Sequence, residues 1–318
     1  MRIFLLLIMV FSFNCKERNR PNVEITESIK IGVELVVLGT VQDGGAPHIG
    51  CTKKCCERLW IEPDERLKVV SLGVIDHDND KTFIFEATPD FPEQLAHLNR
   101  LAGRPMSKMP DGIFITHAHI GHYTGLMFLG REAKGAKDVP VYVMSRMFGF
   151  LNAFGPWNQL VDLKNINLIK MDQVIGQKLT DNVEVQPFLV PHRDEYSETV
   201  GFIIAGPERK TLFIPDIDKW AKWKNNIVEE IEKVDLAFVD ATFYDAREIN
   251  NRNISEIPHP FVIESMELFE ELDDKEKSKI HFIHLNHTNP LLNSESEAYK
   301  NVVTRKFEVA EFGAMLAI

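Results

Sequence analysis

The chain has 318 residues, of which 44% are hydrophobic and 26% are charged, as is usual for a globular protein. This length is sufficient for one large domain or two small ones, and no internal repeat is present. The formal net charge is −11, whereas proteins that bind nucleic acids present a basic face to the phosphates. The composition therefore argues against RNA or DNA as a partner, and we expect a small-molecule substrate. The oligomeric state stays open.

Residues 1–15 have the pattern of an export signal. Arg2 precedes an apolar run over residues 3–11, which has the length of a signal-peptide core and is short for a membrane span. Cys15 follows at the place where bacterial lipoprotein signals carry their lipidated cysteine. We expect an exported lipoprotein that contacts the membrane only through this anchor, with residues 16–30 as a polar tether. Another secretory signal or an uncleaved hydrophobic anchor is the alternative.

Short apolar strands mixed with helical segments predict an α/β domain over residues 31–318, with the helices packed outside the sheets. The first strand ends at a glycine-rich loop, and two of the later strand pairs are separated by polar turns typical of hairpins. The predicted strands cover residues 33–38, 69–75, 82–86, 112–116, 139–144, 183–190, 200–205, 211–214, 236–239 and 280–284, and the predicted helices cover residues 91–102 and 227–233.

Five of the predicted strands end in a histidine or an aspartate, which is how α/β enzymes assemble a site at the edge of a rigid sheet. These residues are His117, His192, Asp216, Asp240 and His284. The densest signal is Thr116-His-Ala-His-Ile-Gly-His122. In an extended segment His117 and His119 point to the same side, and His122 reaches over from the following turn. Imidazole is a common zinc ligand, so this pattern favours a metal site over ordinary surface histidines.

Cys51, Cys55 and Cys56 form a second cluster of metal-binding residue types. If Cys15 carries lipid, three cysteines remain, and an odd number within six positions is a poor disulfide framework. Metal binding explains the cluster better. A closed tetrahedral zinc site needs a fourth ligand, and His287, on the turn after the last predicted strand, can supply it. Adjacent cysteines on a strand would point in opposite directions, which puts one of the three thiolates in question.

The order of these motifs resembles the metallo-β-lactamase superfamily, whose pattern is H-x-H-x-D-H followed by a His, an Asp and a final His. The resemblance covers most of residues 31–318 and implies a four-layer αββα sandwich with a zinc site at one edge of its two sheets. It also implies a role for each ligand. A first ion would be held by His117, His119 and His192, a second by His122 and His284, and Asp216 would bridge the two.

Several stretches are similar to the PQQ-biosynthesis protein B group, and the cysteine loop also resembles that of the phosphodiesterases of phosphonate catabolism in the same superfamily. The stretches are Leu38-Gly-Thr-Val-Gln-Asp-Gly-Gly-Ala-Pro47, Glu86-Ala-Thr-Pro-Asp90, Val239-Asp-Ala-Thr-Phe243 and Asn286-His-Thr-Asn-Pro290. The PQQ group often lacks the first two histidines of the motif. Because this chain has both, it looks more capable of hydrolysis than that group.

Position 121 departs from the superfamily motif, because it is Gly where the superfamily has an Asp that helps to hold the second ion. We therefore expect a second ion to bind more weakly than the first, for lack of one anionic ligand. The competing interpretation is that Gly121 permits a turn that a Cβ would obstruct, in which case an Asp would not fit.

Three functions are compatible with these patterns. The first is a zinc-dependent hydrolase of a small phosphodiester, lactone or similar ester, with one or two catalytic ions that bring the pKa of bound water toward about 7. Asp216 would orient the hydroxide and His259 would protonate the leaving group, unless His259 is a structural loop residue. The second is a non-hydrolytic accessory protein that binds a quinone-like molecule. The third is a metal-binding structural protein without turnover.

The export signal makes a direct prediction. We expect Cys15 to become the mature N-terminus and to carry lipid, because it follows the apolar core at the position of a lipoprotein cysteine. Labelling with a radioactive fatty acid should therefore be abolished by Cys15→Ser. Persistent labelling of this variant, or an intact Met1 in the mature protein, would contradict the assignment.

Overall fold

The computed structural model describes residues 30–249 and 257–318, and the predicted export signal with Cys15 lies outside them. Residues 31–318 cluster as one compact unit. Among the described residues, no helix combines the length and the apolar character needed to cross a bilayer.

The first of the two sheets in the described residues has seven strands. These are β1 (Val33–Gly39), β2 (Ser71–Asp76), β3 (Lys81–Phe85), β4 (Gly112–Phe114), β5 (Val139–Val143), β6 (Ile166–Lys170) and β14 (Met315–Ala317). Their order is β14-β1-β2-β3-β4-β5-β6. Pairing is antiparallel from β14 to β3 and parallel from β3 to β6.

The second sheet also has seven strands and the same division into two halves. These are β7 (Gln177–Lys178), β8 (Glu184–Leu189), β9 (Val200–Ala205), β10 (Lys210–Ile214), β11 (Leu236–Asp240), β12 (Ile280–Ile283) and β13 (Glu308–Val309). Their order is β13-β12-β11-β10-β9-β8-β7. Pairing is parallel from β13 to β10 and antiparallel from β10 to β7.

Helices cover the outer face of each sheet. They are α1 (Lys54–Glu57), α2 (Phe91–Leu101), α3 (Ile120–Tyr123), α4 (Ser145–Ala153), α5 (Trp157–Asp162), α6 (Ile227–Glu232), α7 (Val262–Leu268), α8 (Asp274–Lys277) and α9 (Glu297–Thr304). The apolar residues of α2, α4 and α5 pack on the first sheet, and those of α6, α7 and α9 pack on the second.

The strands alternate between two apolar environments, which produces four layers. In β1, Leu35 and Val37 face a core shared by both sheets, whereas Val36 and Leu38 face the helices outside. This follows from the two-residue period of a strand and explains why the strands read as continuous apolar runs. The predicted αββα sandwich is therefore confirmed. Strands β6, β7, β13 and β14 were not predicted, and the last three have only two or three residues each.

His281 allows a test of how burial within the second sheet affects stability. It lies on β12, its ring stacks on Phe238 at 4.8 Å between centroids, and burial lowers its pKa from 6.5 to about 4. The unfolded chain therefore binds a proton on His281 between pH 6.5 and 4 that the folded chain does not. The free energy of unfolding should fall as the pH falls through this window, by up to about 3 kcal/mol.

We expect His281→Phe, which keeps the stacked ring, to remove this contribution. The measurement is denaturant unfolding between pH 4 and 8 with a chelator present, so that metal release is not part of the signal. The wild-type and variant curves should run parallel above pH 7 and diverge below it. Parallel curves over the whole range would contradict the burial of a neutral imidazole.

Candidate metal centre

The carboxyl ends of β4 and of the parallel strands β10, β11 and β12 meet at one edge of the sandwich. The segment after β4 carries His117 and His119, and α3 follows with His122. Asp216 follows β10, and His284 follows β12. The loops that place these side chains begin directly after buried apolar strands, so the backbone positions from which the side chains project are rigid.

The first cluster consists of His117, His119, His192 and Asp216, whose ligand atoms all lie within 4.8 Å of one another. His119 Nδ1 lies 2.8 Å from His117 Nε2 and 3.3 Å from His192 Nε2. Asp216 Oδ2 lies 3.1 Å from His192 Nε2 and 3.4 Å from His117 Nε2. Two donors in a tetrahedral zinc site with bonds of about 2.0–2.1 Å are about 3.4 Å apart, so the spacing fits zinc.

The second cluster consists of Asp43, His122, Asp216 and His284, again with ligand atoms within 4.8 Å. Asp43 Oδ1 lies 2.9 Å from His122 Nε2 and 3.2 Å from His284 Nε2. His122 Nε2 lies 3.8 Å from Asp216 Oδ2. Asp216 therefore belongs to both clusters, as expected of a bridging residue. Asp43 was missed in the sequence, although it follows the apolar strand β1 much as Asp216 follows β10.

Each histidine has a polar partner on the ring nitrogen that faces away from its cluster. The pairs are His117 Nδ1 with Thr116 Oγ1 (2.8 Å), His119 Nε2 with Glu195 Oε2 (3.2 Å), His122 Nδ1 with Glu86 Oε1 (3.3 Å), His192 Nδ1 with Asp218 Oδ1 (3.3 Å) and His284 Nδ1 with Thr242 Oγ1 (2.9 Å). Such outer partners orient the rings of metal-binding histidines and raise their basicity. The donor set and its surroundings therefore fit a metal centre.

Backbone strain occurs at two residues of this site. Glu86 has φ 81° and His284 has φ 65°, a region that residues with a Cβ rarely adopt. Strained residues of this kind concentrate at functional sites, where the surrounding structure holds them in place. Here the strain places the Glu86 carboxylate beside His122 and turns the His284 ring toward Asp43.

The third group of acids and histidines surrounds His259. Its Nδ1 lies 2.8 Å from Asp240 Oδ2 and 3.2 Å from Asp216 Oδ1. Asp240 also accepts hydrogen bonds from the backbone N–H groups of Ile217 (3.1 Å) and Thr242 (2.8 Å), which fix its carboxylate. The structure thus brings His259, which the sequence offered either as a proton donor or as a structural loop residue, next to Asp216.

The charges of the clusters are strongly coupled. Burial raises the pKa of Asp216, but the charges of His192 and His259 outweigh it and hold the pKa well below 3.8. Burial lowers the pKa of His284, but its contacts with Asp240 and Asp43 raise it to about 9. Part of the cluster is therefore protonated at neutral pH, and binding of a metal must release protons.

The three cysteines and His287 form a separate group whose ligand atoms lie within 4.8 Å of one another. Cys55 Sγ lies 4.0 Å from Cys51 Sγ and 3.9 Å from Cys56 Sγ, close to the separation of about 3.8 Å for thiolates on tetrahedral zinc. The concern about adjacent cysteines was wrong, because Cys55 and Cys56 lie on the short helix α1 and not on a strand. Both sulfurs can therefore face the same point.

Comparison with known proteins identifies the family of the chain. Residues 81–282 match the model of the β-lactamase superfamily domain. The chain belongs to this family. The superfamily match ends before His284 and begins after Asp43, so those two ligands lie outside it.

Relatives and solved structures extend the similarity over most of the chain. Coenzyme PQQ synthesis protein B from Gluconobacter oxydans is 25% identical over 304 residues, which is 88% of this chain and 97% of the relative. The crystal structure of Zn²⁺-bound PqqB from Methylobacterium extorquens superposes with a TM-score of 0.71 at 18% identity and covers 90% of this chain and 100% of its own. A diphosphatase of the PhnP family superposes with a TM-score of 0.59 at 21% identity, covering 90% and 97%. These structures share the metallo-β-lactamase fold.

Proposed function

We propose that this protein is a zinc-dependent hydrolase of a small-molecule phosphodiester, lactone or similar ester. The observation that carries the proposal is the double cluster around Asp216, in which five histidines are held by outer partners and face two neighbouring points. Zinc at such a site activates bound water and polarises the oxygen under attack. A diphosphatase of the PhnP family has the same fold, and its name is compatible with a phosphorus–oxygen bond as the bond attacked.

The residues around the clusters have distinct tasks in this mechanism. Asp216 presents both carboxylate oxygens to the centre and orients the attacking oxygen there. His259 donates its Nδ1 proton to Asp240, which fixes the ring and directs Nε2 as the atom that delivers a proton to the leaving group. Asp240 is a positioning residue, because its own oxygens are held by backbone N–H groups.

A second candidate is an accessory protein that binds a quinone-like molecule without turnover. It is favoured by the similarity to coenzyme PQQ synthesis protein B, which extends over 97% of that relative. Tyr196 follows Glu195, the partner of His119, and its 62% exposed ring, which packs on Phe150 at 5.4 Å between centroids, offers an aromatic surface to a flat ring. The location proposed for either activity is the exported, lipid-anchored state expected from residues 1–15.

Hydrolysis by the zinc-loaded protein tests the first proposal. We expect turnover of chromogenic phosphodiesters or lactones, loss of activity on chelation and recovery when zinc is restored. His119→Ala should lower the rate at least about 100-fold, because it removes a ligand of the first ion. His281→Phe is the matched control, since it replaces a histidine outside the clusters and should retain activity. Tight binding of a quinone with no hydrolysis of any ester would favour the accessory protein instead.

We further propose that the cysteine group holds a structural zinc. Cys51→Ser should lower the zinc content by one ion per chain and the free energy of unfolding by several kcal/mol, because a closed zinc site stabilises its loop. His281→Phe is the control, because His281 lies outside the groups of candidate metal ligands found among the described residues, and its zinc content should equal that of the wild type. Metal analysis of the pure proteins decides, and an unchanged zinc content in Cys51→Ser would exclude the site.

A further inference from the structure

The space beside Gly121 is already occupied by another residue of the second cluster. A Cβ built on Gly121 would lie 2.6 Å from the Cα of Asp43 and 2.6 Å from its Oδ1. These distances are shorter than any normal carbon contact, and the Cα belongs to a backbone that cannot rotate away. Only glycine at position 121 lets the loop after β1 approach helix α3 this closely. The Asp43 carboxylate of that loop occupies the space into which a side chain at position 121 would project.

Asp43 makes the contacts that a metal ligand in this place needs. Its Oδ1 lies 2.9 Å from Nε2 of His122 and 3.2 Å from Nε2 of His284. The other ring nitrogen, Nδ1, faces Glu86 in His122 and Thr242 in His284. The side chain of Asp43 is 14% exposed. A carboxylate buried beside two imidazoles that are each oriented from behind is an arrangement suited to a cation between them.

We propose that Asp43 is the carboxylate ligand of the second ion and replaces the motif carboxylate that Gly121 lacks. This inference rests on the proposed metal centre. The second ion then has four protein ligands, namely Asp43, His122, Asp216 and His284, two of which are anionic. The proposal removes the reason for expecting a weak second site, because the missing negative charge would be supplied from a loop 78 residues earlier in the chain.

The loop of Asp43 is fixed to the segment that carries His284. The backbone N–H of Gln42 donates to Leu285 O (2.9 Å), and that of Leu285 donates to Thr40 O (2.8 Å). Val41 and Leu285 also form a parallel bridge. Asp43 directly follows the hydrogen-bonded segment 40–42, and His284 directly precedes Leu285. These backbone contacts therefore position the two side chains relative to each other before any ion binds.

Cobalt and zinc titrations of the full-length apoprotein test the assignment. Cobalt bound by thiolates absorbs in the near ultraviolet, which separates the cysteine group from the two catalytic positions. Asp43→Asn should weaken binding of the second catalytic ion at least about 100-fold and leave the first within a few-fold. Asp235→Asn is the matched control, because the Asp235 carboxylate accepts a hydrogen bond from the backbone of Lys210 (2.9 Å), at the end of β10 opposite to Asp216, and both affinities should stay unchanged.

Moving the carboxylate gives a sharper result. Gly121→Asp alone should destabilise the protein, because its side chain collides with Asp43. In the double variant Asp43→Gly, Gly121→Asp, the space filled by the Asp43 side chain is free and the carboxylate comes from position 121 instead. The affinity for the second ion should then recover to within about tenfold of the wild type. If the double variant does not fold, Asp43→Asn still decides.

The outcomes separate this inference from the proposed hydrolase. Unchanged second-ion affinity in Asp43→Asn, or a wild-type protein that binds a single catalytic ion, would overturn the role of Asp43. Two catalytic ions in the wild type without hydrolysis of any ester would overturn the hydrolase and leave Asp43 as a ligand.

Discussion

One buried carboxylate, that of Asp216, organises the edge of the sandwich where both sheets end. Its side chain is 3% exposed, and its oxygens lie 3.1–3.4 Å from nitrogens of His117, His192 and His259. An isolated ionised carboxylate in a protein interior costs several kcal/mol, so it persists only where positive charge compensates it. The histidines must therefore come to this point, whether their charge comes from protons or from an ion that they share with Asp216.

This requirement explains the pattern of the strands. Both faces of the parallel strands pack against apolar residues, one face against the opposite sheet and one against helices, so an unpaired polar side chain in the middle of a strand is costly. The candidate ligands follow the last residue of their strands, as with Phe114 before the histidine segment and Ile214 before Asp216. The cost of burying unpaired polar groups keeps the core apolar, and for the same reason the candidate metal ligands lie at one edge of the sandwich.

The part of the site that could be predicted from sequence is the part with a local signal. His117, His119 and His122 lie within six residues, and Asp216 directly follows an apolar strand. Asp43 also follows an apolar strand, but it stands alone in a glycine-rich loop, and its partner His284 is 241 residues away and is brought to it only by the tertiary fold. The collision of position 121 with Asp43 is likewise a property of packing between distant segments, which no local pattern contains.

The cysteines illustrate a second limit. Their grouping was visible in the sequence, but their directions depended on whether the backbone is a strand or a helix, and four residues are too few for a periodic pattern. In the same way, the strained φ angles of Glu86 and His284 reflect contacts made by their neighbours and not any preference of these residue types.

The loop after β1 gives the protein a further physical property. Asp43 at its start belongs to the second cluster, whereas Cys51 at its end belongs to the cysteine group, and between them the His48 ring stacks on His287 at 4.5 Å. An ion at the proposed cysteine site would remove conformational entropy from this segment, so less would remain to be lost when a second ion orders Asp43. On the proposed sites we therefore expect the occupancies of the two centres to be thermodynamically linked, each ion strengthening retention of the other to the same degree because linkage is reciprocal.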